Sequence, residues 1–172
     1  MRMRALAAPA AALTVSLMLL GACGGGNKTF AGTSGKSVRA LPADLVPSKI
    51  NGLAVSSESV KKTIGGVKKS FVDETSLYSF RTGDTLQATL QISRFSKEAA
   101  SNEASFHTQV VSKIGSTVPR AFRVGSDTVY LTTGKQQNIS IWFRGRYLFV
   151  MAVRAEYEQP RTLLRRTLEI KP

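Results

Sequence analysis

The sequence predicts an α+β domain, a curved antiparallel sheet packed by a long central helix and a C-terminal helix. Three observations predict it. Residues 84–93 alternate: Leu86, Ala88, Leu90 and Ile92 fall on one side, Gln87, Thr89 and Gln91 on the other, which is the period of a half-buried strand. Residues 147–155 are apolar on both sides, as in the middle of a sheet covered on each face. Residues 97–114 carry Phe106, Val110 and Ile114, with Ala100, Ala104 and Val111, at helical spacing. Ser96 is the candidate N-cap of that helix, Glu98 suits its first turn, and Gly115 is its natural stop.

The remaining elements follow from local chemistry. Residues 57–64 read as a short helix closed by Gly65-Gly66. Residues 75–81 form the hairpin partner of 84–93 across the Gly83-Asp84 turn. Residues 119–124 read as a further strand, ahead of strands at 127–133, 138–144 and 147–155. Gly134-Lys135 and Arg144-Gly145-Arg146 join the last three by short turns, which implies antiparallel neighbours. Pro160 opens a final helix, with Leu163, Leu164 and Leu168 on one side and Arg161, Arg165 and Arg166 elsewhere.

Ahead of this domain stands a segment of another kind. Arg2 and Arg4 precede an apolar run over 5–20, interrupted by Pro9, and the small residues Gly21 and Ala22 lead to Cys23. The run is shorter than the roughly 20 residues of a spanning helix and has no charged stop beyond it. Leu20-Gly21-Ala22-Cys23 resembles the lipobox of bacterial lipoproteins. That resemblance implies that residues 1–22 are removed as a signal peptide. It also implies that the Cys23 thiol carries a diacylglyceryl group and that the protein is held at the extracytoplasmic face of the cell membrane. Two acyl chains hold a protein where one is marginal, at about 0.8 kcal/mol per buried methylene. Cys23 is the single cysteine, so its acylation leaves no thiol for a disulfide, for redox chemistry or for a metal. Residues 23–40 read as a flexible Gly/Ser-rich tether and 41–172 as one α+β domain. The element order of that domain resembles the Mog1/PsbP-like sandwiches found among small actinobacterial lipoproteins, a resemblance of order without a shared motif.

The chain has 24 Lys and Arg against 11 Asp and Glu; loss of Arg2 and Arg4 takes the formal charge from +13 to +11. Such a balance favours phospholipid headgroups or anionic wall polymers, and nucleic acid is not an expected partner outside the cytoplasmic membrane. The groups that carry catalysis are sparse. Gly32-Thr33-Ser34-Gly35-Lys36-Ser37 imitates a phosphate-binding loop, but Phe30 stands where the pattern needs Gly and no strand precedes it. His107 is the single histidine, so it lacks companions for a metal site and no Gly-x-Ser-x-Gly elbow supplies it with a nucleophile. Asp73, Glu74, Asp84, Glu98, Glu103, Asp127, Glu156 and Glu158 are scattered over turns and element ends. Asn138-Ile139-Ser140 matches a glycosylation acceptor without weight in this context. No cofactor, metal or enzymatic activity is expected.

Two groups are candidates for ligand or headgroup contact. Trp142 with Arg144 and Arg146 sets an aromatic plane beside guanidinium groups. Arg161 and Arg165 share a helical face, with Arg154, Arg166 and Lys171 nearby in sequence. The expected function is that of a membrane-anchored, non-enzymatic binding module serving an envelope protein or an anionic envelope ligand. The alternative is a carrier of an apolar or lipid ligand between sheet and helix, in a hollow lined by Phe106, Trp142, Phe143 and Phe149.

Overall fold

The computed structural model describes residues 38–60, 71–97 and 103–172. Its architecture is one open sheet of eight antiparallel strands in the order β1-β2-β3-β4-β8-β7-β6-β5. The strands are β1 (Lys49–Ile50), β2 (Leu53–Ser59), β3 (Val72–Thr82), β4 (Thr85–Phe95), β5 (Arg120–Val124), β6 (Asp127–Thr133), β7 (Gln137–Arg144) and β8 (Tyr147–Arg154). The described helices are short: α1 (Glu103–Lys113), α2 (Pro160–Thr167) and a 3-10 turn at Ala43–Leu45.

This corrects the expected architecture of a curved sheet packed by a long central helix. Tight turns join β1 to β2, β3 to β4, β5 to β6, β6 to β7 and β7 to β8, each half of the chain pairs its strands in sequence order as its own meander, and the two halves merge where β4 pairs with β8. An 11-residue helix such as α1 is only about 16 Å long. Eight strands at about 4.8 Å spacing make a sheet roughly 34 Å wide, which such a helix cannot cover. The expected helix over 57–64 is also corrected in part. Ser57 and Glu58 belong to β2 and pair with Tyr78 and Leu77 of β3. The rest of that stretch, like 98–102 of the long helix, lies outside the described residues.

Period two decides which side chains meet. Tyr78 and Phe80 of β3, Leu90 and Ile92 of β4, Phe149 and Met151 of β8 and Trp142 of β7 share one face. Leu163, Leu164 and Leu168 of α2 close over that face, together with Leu41, Val46, Ile50 and Leu53 from the N-terminal segment. The opposite face gathers Ile139, Ile141, Leu148, Val150 and Ala152 under Phe106, Val110, Val111 and Ile114 of α1. β8 is buried on both sides because it lies between the two meanders.

The N-terminal segment joins the domain through β3. Arg39 donates its backbone N–H to the Asp73 carbonyl at 3.0 Å and accepts from Thr75 N–H at 2.8 Å. Leu41 N–H donates to Ser76 Oγ at 3.0 Å, and Tyr78 O–H donates to the Pro42 carbonyl at 3.2 Å. A hairpin that the alternation did not reveal connects β1 and β2. Asn51 and Gly52 both have positive φ, 51° and 80°, as a two-residue hairpin turn of right-handed twist requires. The Asn51 side-chain amide donates to Tyr157 Oη at 3.0 Å and so ties this corner to the start of α2.

Gly115 ends α1 with φ +89°, and a Cβ there would stand 2.3 Å from Thr132 Oγ1. Thr132 is itself fixed by donation to the Thr117 carbonyl at 2.9 Å. Gly115→Ala therefore adds a left-handed backbone penalty to a clash with a held side chain. It is expected to cost about 2 kcal/mol or more, read as a lower urea midpoint with an unchanged slope.

Candidate functional site

The sequence-derived candidates separate into buried and exposed groups. β7 alternates its side chains, so Trp142 points to the α2 side while Ile141 and Phe143 point to the α1 side. Trp142 is 0% exposed and stacks on Phe149 with ring centroids 5.0 Å apart and planes 7° from parallel. Its Nε1–H has no hydrogen-bond partner among the described residues. In this position Trp142 is a core side chain, and its indole is not presented beside Arg144 and Arg146 at the surface.

Arg144 ends β7 and is committed internally. Its Nε donates to Asp127 Oδ1 at 2.9 Å and its Nη2 to Asp127 Oδ2 at 2.5 Å. Nη1 donates to the Ile170 carbonyl at 2.6 Å, and Nη2 donates also to the Leu168 carbonyl. The guanidinium thus satisfies carbonyls just beyond the C-terminus of α2 while its charge is balanced by Asp127. That hydrogen bond holds the Asp127 carboxyl below its ordinary range, against an opposing effect of partial burial. Arg146 Nη1 donates to the Phe95 carbonyl at 3.1 Å and lies 3.6 Å from Asp73 Oδ2. Glu74 pairs with Arg94 at 2.9 Å and with Arg39 at 3.6 Å. The acids and arginines at this end of the sheet neutralise one another.

Arg161 and Arg165 lie exposed on the outer side of α2, while Arg166 stands 3.4 Å from Glu169. Arg154 pairs with Glu156. Neither Arg161 nor Arg165 forms an ion pair among the described residues, and both face solvent. His107 stacks on Phe143 with centroids 3.6 Å apart. Among the described residues, no three His, Cys, Asp or Glu side chains are grouped to hold a metal ion. Cys23 and the expected tether up to residue 37, with the loop-like 32–37 stretch, lie outside the described residues, whereas Arg39, also expected in the tether, is held against β3.

The aromatic set proposed for a lipid hollow is divided by the sheet. Trp142 and Phe149 belong to the α2 side, whereas Phe106 and Phe143 belong to the α1 side, where Phe106 meets Phe95 edge-on at 4.6 Å. Those four rings line no common space.

Sequence reasoning passed over the far edge of the sheet. Val118 is 88% exposed and Leu131 38%, the two large exposed hydrophobic side chains among the described residues. Leu131 pairs in register with Arg120 of β5. A signal for this region exists in the sequence: from 104 to 155 the chain carries one acid, Asp127.

Comparison with known proteins adds little to this geometry. No family model matches the chain, and no curated protein matches it. A solved GTP binding regulator from Thermotoga maritima aligns over 60% of this chain and 68% of its own, with 13% identity and a TM-score of 0.40. A likeness of that strength leaves the fold and the function to be argued from the chain itself. Among the described residues, no helix is long and apolar enough to cross a membrane.

Proposed function

We propose that the chain is a lipid-anchored envelope protein. Its sheet domain works as a non-enzymatic binding module at the outer face of the cell membrane. The observation that carries this reading is Leu20-Gly21-Ala22-Cys23 after a basic start and an apolar run. The charge supports it, because a chain whose formal charge is +11 after loss of Arg2 and Arg4 from the full +13 is drawn to the anionic surface beside which such an anchor holds it. The arginine placement supports it also. Arg144 and Arg146 are spent on internal partners, whereas Arg161 and Arg165 are exposed for an anionic ligand or an acidic protein surface.

Cys23→Ala tests the reading. The variant is expected to carry no diacylglyceryl group and, once its leader is cleaved at another site, to leave the membrane fraction and appear soluble. Wild type is expected to gain the mass of a diacylglyceryl group and to begin at Cys23. An unmodified thiol in the native protein, or firm membrane retention of Cys23→Ala after its leader has been removed, sinks the proposal.

A further inference from the structure

We propose that the β5 edge of the sheet, with the turn leading into it, is the surface that lies on an anionic bilayer. Val118 enters the interfacial layer, and Arg120 and Arg123 contact lipid phosphates. The inference deepens the membrane-tether reading by assigning the face that meets the lipid.

Three observations converge on this edge. First, β5 is the last strand of the order, so its outer side has no neighbouring strand. Second, the two large exposed hydrophobics among the described residues both lie here. Val118 sits two residues before β5, next to Thr117, whose hydroxyl accepts from Thr133 N–H at 3.1 Å, and Leu131 is the register partner of Arg120. Third, the charge is one-sided. Arg120 and Arg123 are exposed and form no ion pair among the described residues, and Lys113 and Lys135 are exposed nearby in the chain. The single acid of the 104–155 stretch, Asp127, is held by Arg144.

Exposed apolar tips flanked by unpaired cations suit a bilayer better than a protein strand. Arginines along an open edge oppose strand addition, and a second copy pairing at β5 would bring like charges together. Arg120 and Arg123 fall on opposite faces of the sheet, as the register of Phe122 with Val129 and of Ala121 with Tyr130 shows. An edge-on approach therefore lets both long side chains reach phosphates, while the open backbone edge stays in the hydrated headgroup layer. The anchor permits this pose. Cys23 and Val38 are 15 residues apart in the sequence. That length of chain reaches at most roughly 50 Å, against about 24 Å for the five strand spacings from β3 to β5.

The test uses residues 23–172 carrying Cys23→Ala, so that binding does not depend on the acyl group. Co-sedimentation compares vesicles of pure phosphatidylcholine with vesicles containing one-third phosphatidylglycerol. The parent is expected to bind the anionic vesicles and not the neutral ones. Arg120→Glu with Arg123→Glu is expected to weaken binding by about 10-fold or more, as removal of two interfacial cations predicts. Val118→Asp is expected to weaken it too, and Lys49→Glu with Arg81→Glu to leave it within about 3-fold, since those exposed charges belong to β1 and β3, at the other end of the strand order from β5. In Val118→Trp combined with Trp142→Phe, the added indole is the single tryptophan, so its emission reports position 118 alone, and it is expected to shift to the blue on the anionic vesicles. Equal binding by the β5 variants, a loss that follows the Lys49 and Arg81 pair instead, or an unshifted Val118→Trp spectrum overturns the proposal. So does a demonstration that the edge is occupied by a protein strand. Failure here leaves the Cys23 reading untouched, because that reading is decided by mass and fractionation of the acylated chain.

Discussion

Trp142→Ala is expected to lower the stability of the domain by about 3–5 kcal/mol, the cost of emptying a large aromatic site in a packed core. Trp142 is fully buried, stacked on Phe149 and enclosed by Leu163 and Leu164 of α2. Its removal takes contacts from the sheet and from the helix that closes it. For a domain of this size the change corresponds to a fall in Tm of roughly 10 °C. Trp142→Phe gives the internal control. It keeps a ring against Phe149 and deletes an Nε1–H that has no acceptor among the described residues, so it is expected to cost much less than the alanine change. Trp142 is the single tryptophan, so its emission reports the core directly: blue-shifted in the native state and red-shifted on unfolding. A native emission maximum like that of free indole in water would contradict this placement.

Arg144→Met is expected to cost about 2–3 kcal/mol, less than a fully buried pair because the Arg144 side chain keeps 25% of its exposure and Asp127 keeps 12%. The loss is expected to be local first. Without the guanidinium, the carbonyls of Leu168 and Ile170 lose their donor, and backbone amides at the end of α2 are expected to exchange faster than those of β8. Asp127→Asn tests the other half of the clamp. The folded carboxyl of Asp127 lies below the ordinary value of 3.8, chiefly through its hydrogen bond from Arg144. A group depressed in this way contributes fully above its unfolded pKa, and the contribution disappears as pH falls through the folded value. The stability gap between wild type and Asp127→Asn is therefore expected to be largest at neutral pH and to close below the ordinary carboxylate range. A gap that widens on acidification would contradict the assignment.

The strands were legible where period two was clean. Residues 84–93, 127–133, 138–144 and 147–155 announce β4, β6, β7 and β8, because each alternates or is apolar throughout between turn residues. β2 was hidden by its serines: Leu53 and Val55 supply too short an alternation to outweigh Ser56, Ser57 and Ser59. Its strand state comes from pairing with β3, a contact distant in sequence. Asn51-Gly52 was the local sign of that hairpin. The candidate site was less legible. Arg144, Arg146, Arg161 and Arg165 are equivalent as letters, and nothing near them in sequence says that Asp127 and two terminal carbonyls claim the first of them.

By itself the sequence determined the signal-like start with its lone cysteine, the strong positive charge and the alternation that makes a two-faced antiparallel sheet. These are properties of composition and of residues within a few positions of one another. The tertiary structure decided which strands became neighbours, that Trp142 turned inward, which arginines were neutralised and that β5 remained an open edge. Those outcomes depend on pairings between segments far apart in the chain, and burial or ion pairing changes what a residue can do without changing its identity.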